Sequence, residues 1–264
     1  MINYLQGDYV NQLEAVNDFK PVCFQKNHAK NYMLKYLLFT ALLFARCASF
    51  AQETVERSRK LTPLVEEKYQ ALKTDYSVMQ GLYSAYLKKT LVAAGRYDHN
   101  KKIGVWTFFT SKGVVCQRFD YTNRSLVYEA PEDSTSGVRY VVDDSLKTDF
   151  KFSRPVRIGG RFYGYLKYTN LIKLPVNLIN LNNETEQAAM ELLVSPGGRL
   201  AEFKIRIRSR NEQDPSGGVA LNLNLNLMDE EDKIFVGGKL NDKPVPVRII
   251  IPVYFYKSDQ VRLP

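Results

Sequence analysis

The chain has 264 residues, of which 45% are hydrophobic and 12% aromatic, and its formal net charge is +9. This composition supports one large or two small packed domains and excludes an intrinsically disordered protein. The basic charge suits an anionic partner, but no clustered basic tract or stacking-aromatic motif indicates a nucleic acid.

Residues 33–51 have the layout of a secretory signal peptide. A basic lead at Lys35 is followed by a short apolar stretch, and the small residues Ser49 and Ala51 suit a cleavage site. We expect cleavage after Ala51 and secretion across the inner membrane, to the periplasm or the periplasmic face of that membrane. Residues 1–32 are then an over-called start, and the alternative is a retained extension. Cleavage leaves Cys116 as the only cysteine, so no disulfide framework is expected.

Residues 62–130 contain short aromatic-rich runs separated by turn signals at Gly81, 99–101 and 111–113. This spacing is typical of successive β-hairpins. The motif Gly81-x-Tyr83-x-x-Tyr86 recurs as Gly104-x-Trp106-x-x-Phe109. The run from Gly95 to Gly113 resembles the MORN-like repeats of secreted bacterial proteins, which implies a scaffold or binding surface.

Residues 131–153 begin with turn-forming residues and hold one short strand, so we interpret them as a linker to a second domain at 154–258. Five residues after Gly159-Gly160 are spaced for one face of a helix that ends at Pro175: Phe162, Tyr165, Leu166, Thr169 and Ile172. The sequence therefore predicts an amphipathic helix at the start of this domain.

A β-hairpin is predicted next, with its turn at Pro196-Gly197-Gly198. In its second strand three apolar residues alternate with Lys204, Arg206 and Arg208, so one face carries a basic stripe. Two interpretations of this stripe stay open: a solvated face, or contact with an anionic partner. Further on, the alternation of Leu and Asn over residues 220–227 favours a strand.

The closing strand is apolar and lies among three prolines, Pro244, Pro246 and Pro252. Because proline cannot donate to a sheet ladder, we expect this strand to lie at an edge. An open edge can accept an extended peptide by strand addition, and it would also allow a homodimer. The predicted peptide-binding residues are Arg248, Ile249, Ile250, Ile251, Val253, Tyr254, Phe255 and Tyr256.

Residues 155–255 resemble the C-terminal domain of TonB-type energy transducers, in the form common in the Bacteroidetes. The resemblance rests on Arg157-Ile158-Gly159-Gly160, Ser195-Pro196-Gly197-Gly198 and the stretch from Gly238 to Phe255. It implies two helices on a three-stranded antiparallel sheet, with 220–227 as the second helix. The expected fold class is therefore α+β, with a MORN-like hairpin meander before the TonB-like domain. In that family the final strand binds an extended peptide of an outer-membrane receptor.

Three functions are compatible with these patterns. The first is a periplasmic protein that captures an extended peptide of an outer-membrane receptor or another envelope protein. The second is a membrane-anchored energy transducer, although residues 52–61 provide no spacer. The third is a structural envelope protein that binds an anionic polymer or lipid headgroups. We expect no enzyme, cofactor, metal or nucleic acid, because His99 suits a polar turn, Cys116 suits a core strand and no metal-ligand spacing occurs.

Overall fold

The computed structural model describes residues 53–142, 151–178, 181–211, 218–256 and 260–263. The predicted over-called start and signal peptide lie outside these residues. The described part is mostly β, with the strands β1 (Thr54–Lys60), β2 (Val65–Leu72), β3 (Met79–Leu87), β4 (Thr90–Asp98), β5 (Lys101–Phe109), β6 (Val115–Asp120), β7 (Ser125–Glu129), β8 (Arg139–Val141), β9 (Phe152–Ser153), β10 (Val156–Arg157), β11 (Glu186–Val194), β12 (Leu200–Ser209), β13 (Val219–Asn222), β14 (Phe235–Val236), β15 (Lys239–Leu240), β16 (Lys243–Pro244), β17 (Val247–Tyr256) and β18 (Gln260–Arg262).

The first seven strands form one antiparallel sheet in which each strand pairs with the next one in the chain. This order is that of a meander. The turn between β4 and β5 uses His99 and Asn100, whose φ angles of 46° and 65° are those of a tight hairpin turn. Gly81, expected at a turn, instead lies inside β3.

The inner face of the seven-stranded sheet is aromatic. Tyr83 and Trp106, the first aromatic residues of the two motif copies, are buried with their ring centroids 5.0 Å apart. Tyr163 comes from later in the chain and packs into the same core, stacked on Phe108 at 5.6 Å. This core is therefore completed by residues outside the meander.

The second large sheet has six strands in the order β13-β12-β11-β17-β18, and β8 also pairs with β17. The predicted hairpin is confirmed as β11 and β12, and Gly198 in its turn donates to the carbonyl of Ser195 at 2.9 Å. Two small sheets, β10-β14 and β16-β15-β9, lie beside it. Strand β8 falls within the segment interpreted as a linker.

The expected α+β class is wrong, because the large antiparallel sheets do not fit two helices on a three-stranded sheet. The predicted first helix is a π-helical turn at Gly160–Tyr165 followed by one four-residue α-helix, α1 (Leu166–Thr169). Gly164 donates to the carbonyl of Gly159, and a Cβ at Gly164 would lie 2.9 Å from the carbonyl oxygen of Ile158. The close approach of these glycines allows the wide turn.

The predicted second helix is also wrong. Residues 219–222 form strand β13 on the edge of β12, and a 3₁₀ turn follows at Leu225–Leu227. Leu221, Leu223 and Leu225 pack on the core while the intervening asparagines are exposed. The two-residue period of the sequence therefore decides the local structure, as it does in a half-buried strand.

Candidate functional site

Strand β17, predicted as an open edge, has partners along both sides. On one side it pairs with β11 from Val247 to Val253. On the other side β8 pairs with 248–250, and β18 pairs with Tyr254–Tyr256. The expectation of an unpartnered edge is therefore wrong for these residues.

The gap between the two covering strands falls at 251–253 and is centred on Pro252. Because proline has no N–H to donate, an interruption of the ladder at this residue costs few hydrogen bonds. This explains how a proline occupies a strand with neighbours on both sides, and why the edge prediction fails.

The predicted peptide-binding residues divide between the two faces of β17. Ile249, Ile251, Val253 and Phe255 are buried in the core of the six-stranded sheet. Arg248, Ile250, Tyr254 and Tyr256 point to the opposite, solvent-facing side, because side chains alternate along a strand. Half of the predicted peptide-binding residues therefore belong to the hydrophobic core and are not accessible to a partner.

The solvent-facing side of this sheet gathers six basic side chains, which we call the basic face. Strand β12 contributes three of them from alternate positions, β8 and β17 contribute one each, and the last follows the end of β12. The basic face consists of Arg139, Lys204, Arg206, Arg208, Arg210 and Arg248. The alternation of β12 that buries Phe203, Ile205 and Ile207 forces its cations outward.

Two carboxylates partly neutralise the basic face. Glu191 is buried beneath it and accepts from Arg206 Nε at 2.6 Å. Glu202 at one end accepts from Lys204 and Arg248, both at 3.2 Å. Among the described residues, no carboxylate forms an ion pair with Arg139 or Arg208. The basic face therefore keeps an excess of positive charge.

Glu202 favours its charged form. The hydrogen bond from Arg248, with a second one from Lys204, lowers the pKa of Glu202 below its ordinary value. The excess positive charge of the basic face therefore varies little around neutrality, because arginine does not titrate there.

The basic face surrounds a cleft of about 590 Å³. Ala189, Ile250 and Pro252 lie on its floor with Gln187 and Glu191, and Tyr254, with 46% of its surface exposed, also lines it. Small and apolar floor residues leave room between the arginine side chains. The arrangement can hold an anionic group against several guanidinium groups at once.

Sequence reasoning found part of this site. Lys204, Arg206 and Arg208 were predicted as a basic stripe, and Arg248 as part of the closing strand. Arg139 and Arg210 were missed, since one lies in the segment interpreted as a linker and the other in a turn. A short strand over residues 138–142 was predicted and is found as β8, but no signal in the sequence indicates that it pairs with β17 and so brings Arg139 to the basic face.

Residues 229–232 form an acidic run, and the structure places most of it in ion pairs. Asp232 accepts from Arg157 Nη2 at 2.7 Å and lies 3.3 Å from Lys167 Nζ. Glu231 pairs with Lys102 of the seven-stranded sheet at 2.5 Å. Arg157 is only 4% exposed, so this cluster ties the acidic run to β10, α1 and β5 partly through buried charge.

The structure places no catalytic machinery at the two residues considered for it. His99 lies in the exposed β4–β5 turn and its Nδ1 is 2.7 Å from Asp98 Oδ1. Burial raises the pKa of the Cys116 thiol to about 11, which disfavours a thiolate nucleophile. Within the part of the chain that the structure describes, no group of His, Cys, Asp and Glu could hold a metal ion.

No protein-family model, curated protein or solved structure matches the chain. The resemblances to TonB-type domains and to MORN-like repeats therefore stay predictions. In the described residues, no helix combines the length and the apolar character needed to cross a bilayer.

Proposed function

We propose that the protein is a non-enzymatic cell-envelope protein that binds an anionic partner through the basic face. The observation that carries the proposal is the concentration of six basic side chains around one cleft, with two carboxylates paired to them among the residues that the structure describes. A concave cluster of one sign of charge attracts and retains oppositely charged ligands. The envelope location rests on the predicted signal peptide.

Charge and shape are sufficient for the basic face to bind an anionic partner. Arginine binds carboxylate and phosphate through two parallel hydrogen bonds, and five of the six basic residues are arginines. Binding at such a surface should weaken strongly as the salt concentration rises, since exposed charges are screened over about 10 Å at 0.1 M salt.

The test compares two triple variants of equal charge change. Arg139→Gln with Arg208→Gln and Arg248→Gln removes charge from the basic face without stranding the buried Glu191. The control, Lys68→Gln with Arg96→Gln and Arg118→Gln, removes three exposed cations from the seven-stranded sheet. Affinity for a fluorescent polyglutamate is measured by anisotropy at low salt. We expect the first variant to lose about thirtyfold, as three exposed charge pairs would allow, and the control less than threefold.

Equal losses in the two variants would reject the proposal, because they would show that only net charge matters. Pelleting with isolated peptidoglycan and with anionic vesicles, each with and without added salt, then distinguishes the sources of the anion. The matched control variant serves in both assays.

A second candidate function is capture of an extended peptide of an outer-membrane receptor, or of another envelope protein, by strand addition to β17. It is favoured by the shortness of the covering strands, since β8 and β18 form ladders of only three residues each. A competing peptide that displaced β18 would regain main-chain hydrogen bonds without a demanding sequence. Such a protein would act as a receptor partner or, if anchored, as an energy transducer.

Locking β18 in place tests this candidate. Tyr254 and Arg262 lie opposite each other in the β17–β18 ladder. In a Cys116→Ser background, Tyr254→Cys with Arg262→Cys should form a disulfide that prevents displacement. Peptide capture from a library of receptor N-terminal segments should disappear on oxidation and return on reduction. Capture that is the same in both states would exclude strand addition at this position.

A further inference from the structure

The spacing of the arginines on the basic face matches one class of anionic partner. Residues 204, 206 and 208 alternate along β12, so their side chains leave the sheet about 6.7 Å apart. An extended polypeptide has the same interval between alternate side chains. A chain that runs along β12 could therefore place one acidic side chain beside each basic residue.

The floor of the cleft has the width of a single extended chain. Between β12 and β8 lie β11 and β17, so the two basic walls are three strand spacings, or about 14 Å, apart. Arg206 and Arg208 of β12 form one wall and Arg139 of β8 forms the other. Arg248 rises from β17 between them and pairs with Glu202. Because neighbouring strands in a sheet lie about 4.8 Å apart, this interval leaves room for one extended chain to lie over β11 and β17.

The chemistry of the floor favours a polypeptide over a phosphate polymer. Ala189, Ile250 and Pro252 lie between the walls and offer apolar contact, next to Gln187 and to Glu191, which is already paired with Arg206. The methylene groups of acidic and aliphatic side chains can pack there, whereas a row of phosphates would leave the floor unused. A flat membrane surface would not enter the cleft.

We propose that the partner of the basic face is an extended acidic polypeptide segment with carboxylates on alternate residues. This inference rests on the proposed function, because it specifies which anion the basic face accepts. The carboxylates would meet the arginine forks on either wall, and the intervening backbone would lie over Ala189 and Pro252.

The experiment compares two labelled twelve-residue peptides of identical composition, six alternating Glu-Thr pairs and a block of six Glu followed by six Thr. Anisotropy titrations at low salt use the full-length protein. The alternating peptide should bind about tenfold more tightly, because it places all its carboxylates on one side with the spacing of the arginines. Equal affinity for the two peptides would overturn the inference.

A charge-conserving variant separates the geometry of the arginines from their charge. Arg139→Lys with Arg208→Lys keeps both cations and the Arg206–Glu191 pair but removes two planar forks, and should reduce the preference for the alternating peptide to less than threefold. Arg96→Lys with Arg118→Lys is the matched control and should keep the full preference. An unchanged preference in the first variant would count against the proposed alignment.

Two further outcomes keep this inference distinct from the proposed function. If both peptides bind equally and the triple variant of the basic face loses both, anion binding stands and the alternating partner is rejected. If neither peptide binds at low salt, both proposals fail. Tighter binding of inorganic polyphosphate of matched charge than of the alternating peptide would also overturn the polypeptide assignment.

Discussion

The two large sheets of this protein present outer surfaces of different charge. Across the seven-stranded sheet, one row of paired residues runs through Ser58, Lys68, Ser84, Ala94, Thr107, Arg118 and Tyr128. Its two cations lie at different positions and are separated by small residues. Across the six-stranded sheet, the cations converge around one cleft.

The difference follows from how each sheet is assembled. In the seven-stranded sheet every pairing joins strands that are neighbours in the chain. In the six-stranded sheet β17 pairs with β8, more than a hundred residues earlier, and with β11 and β18. Arginines from separate parts of the chain meet only in the second sheet, so a site can arise there that no single segment contains.

Asp232 forms ion pairs with Arg157 of β10 and Lys167 of α1, and breaking these pairs should have the largest effect. Asp232→Asn leaves the buried guanidinium of Arg157 without its carboxylate, which should lower the free energy of unfolding by about 3 kcal/mol. Urea denaturation followed by Trp106 fluorescence measures the loss. Asp229→Asn, at an exposed neighbour, is the control and should change the free energy of unfolding by less than about 0.5 kcal/mol.

The same pair predicts a pH dependence. Burial alone would raise the pKa of Asp232, but the charges of Lys167 and Arg157 outweigh burial and lower the pKa below its ordinary value. A lowered folded-state pKa gives stability that is present above the unfolded value, near 4, and is lost as the pH falls further. The advantage of the natural protein over Asp232→Asn should therefore be constant from pH 6 to 7 and shrink below about pH 4.

The reactivity of the Cys116 thiol tests whether the segment around Gly160 stays packed against the seven-stranded sheet. A Cβ at Gly160 would lie 3.4 Å from the Cys116 sulfur, so the thiol faces this segment. With the pKa raised from 9.0 to about 11, alkylation by iodoacetamide at pH 8 should be about 100-fold slower than for an unhindered thiol. A rate profile with its midpoint near 8.5 would show instead that the thiol is solvated.

Two turn glycines, one in each sheet, allow the effect of an added Cβ on stability to be compared between the sheets. Gly198 in the β11–β12 turn and Gly113 in the β5–β6 turn have similar φ angles of 75° and 78°. A Cβ at Gly198 would lie 2.4 Å from the carbonyl oxygen of Phe235, whereas one at Gly113 would meet only a methyl group at 3.7 Å. Gly198→Ala should therefore destabilise by about 2 kcal/mol or more and Gly113→Ala by about 1 kcal/mol. Similar losses in thermal unfolding would contradict the close backbone approach.

The smallest effect is expected from a charge on the rim of the basic face. Glu202→Gln releases Lys204 and Arg248 from their shared carboxylate. The affinity for polyglutamate at low salt should rise about threefold, with the gain lost in high salt. The control Glu66→Gln, on the solvent-facing side of β2, should leave the affinity unchanged within error.

Much of the local structure is predictable from the residues. The turn at His99-Asn100 and the hairpin around Pro196-Gly197-Gly198 follow from turn chemistry, and the outward direction of the β12 cations follows from alternation. The segment 220–227 is instructive, because its alternation predicts a strand while the family resemblance argues for a helix. The structure agrees with the alternation at Val219–Asn222.

The prolines of the closing strand show the limit of this reasoning. Pro252 indicates that one hydrogen bond of the strand is missing. The sequence does not say whether the whole side of the strand lacks a partner or whether two short strands pair with it on either side of Pro252. The answer depends on β8 and β18. Strand β8 lies more than a hundred residues before β17 in the chain, and β18 comes shortly after β17. Short strands carry too little periodicity to be assigned a partner.

By itself, the sequence determined the hairpins, the alternation of buried and exposed residues and the basic stripe of Lys204, Arg206 and Arg208, because each depends on neighbours within a few residues. The tertiary structure alone decided that β17 is covered, that the acidic run pairs with Lys102, Arg157 and Lys167, and that Arg139, Arg210 and Arg248 meet that stripe around one cleft. The physical reason is that these contacts join residues far apart in the chain, and their partners are selected by the packing of the sheets.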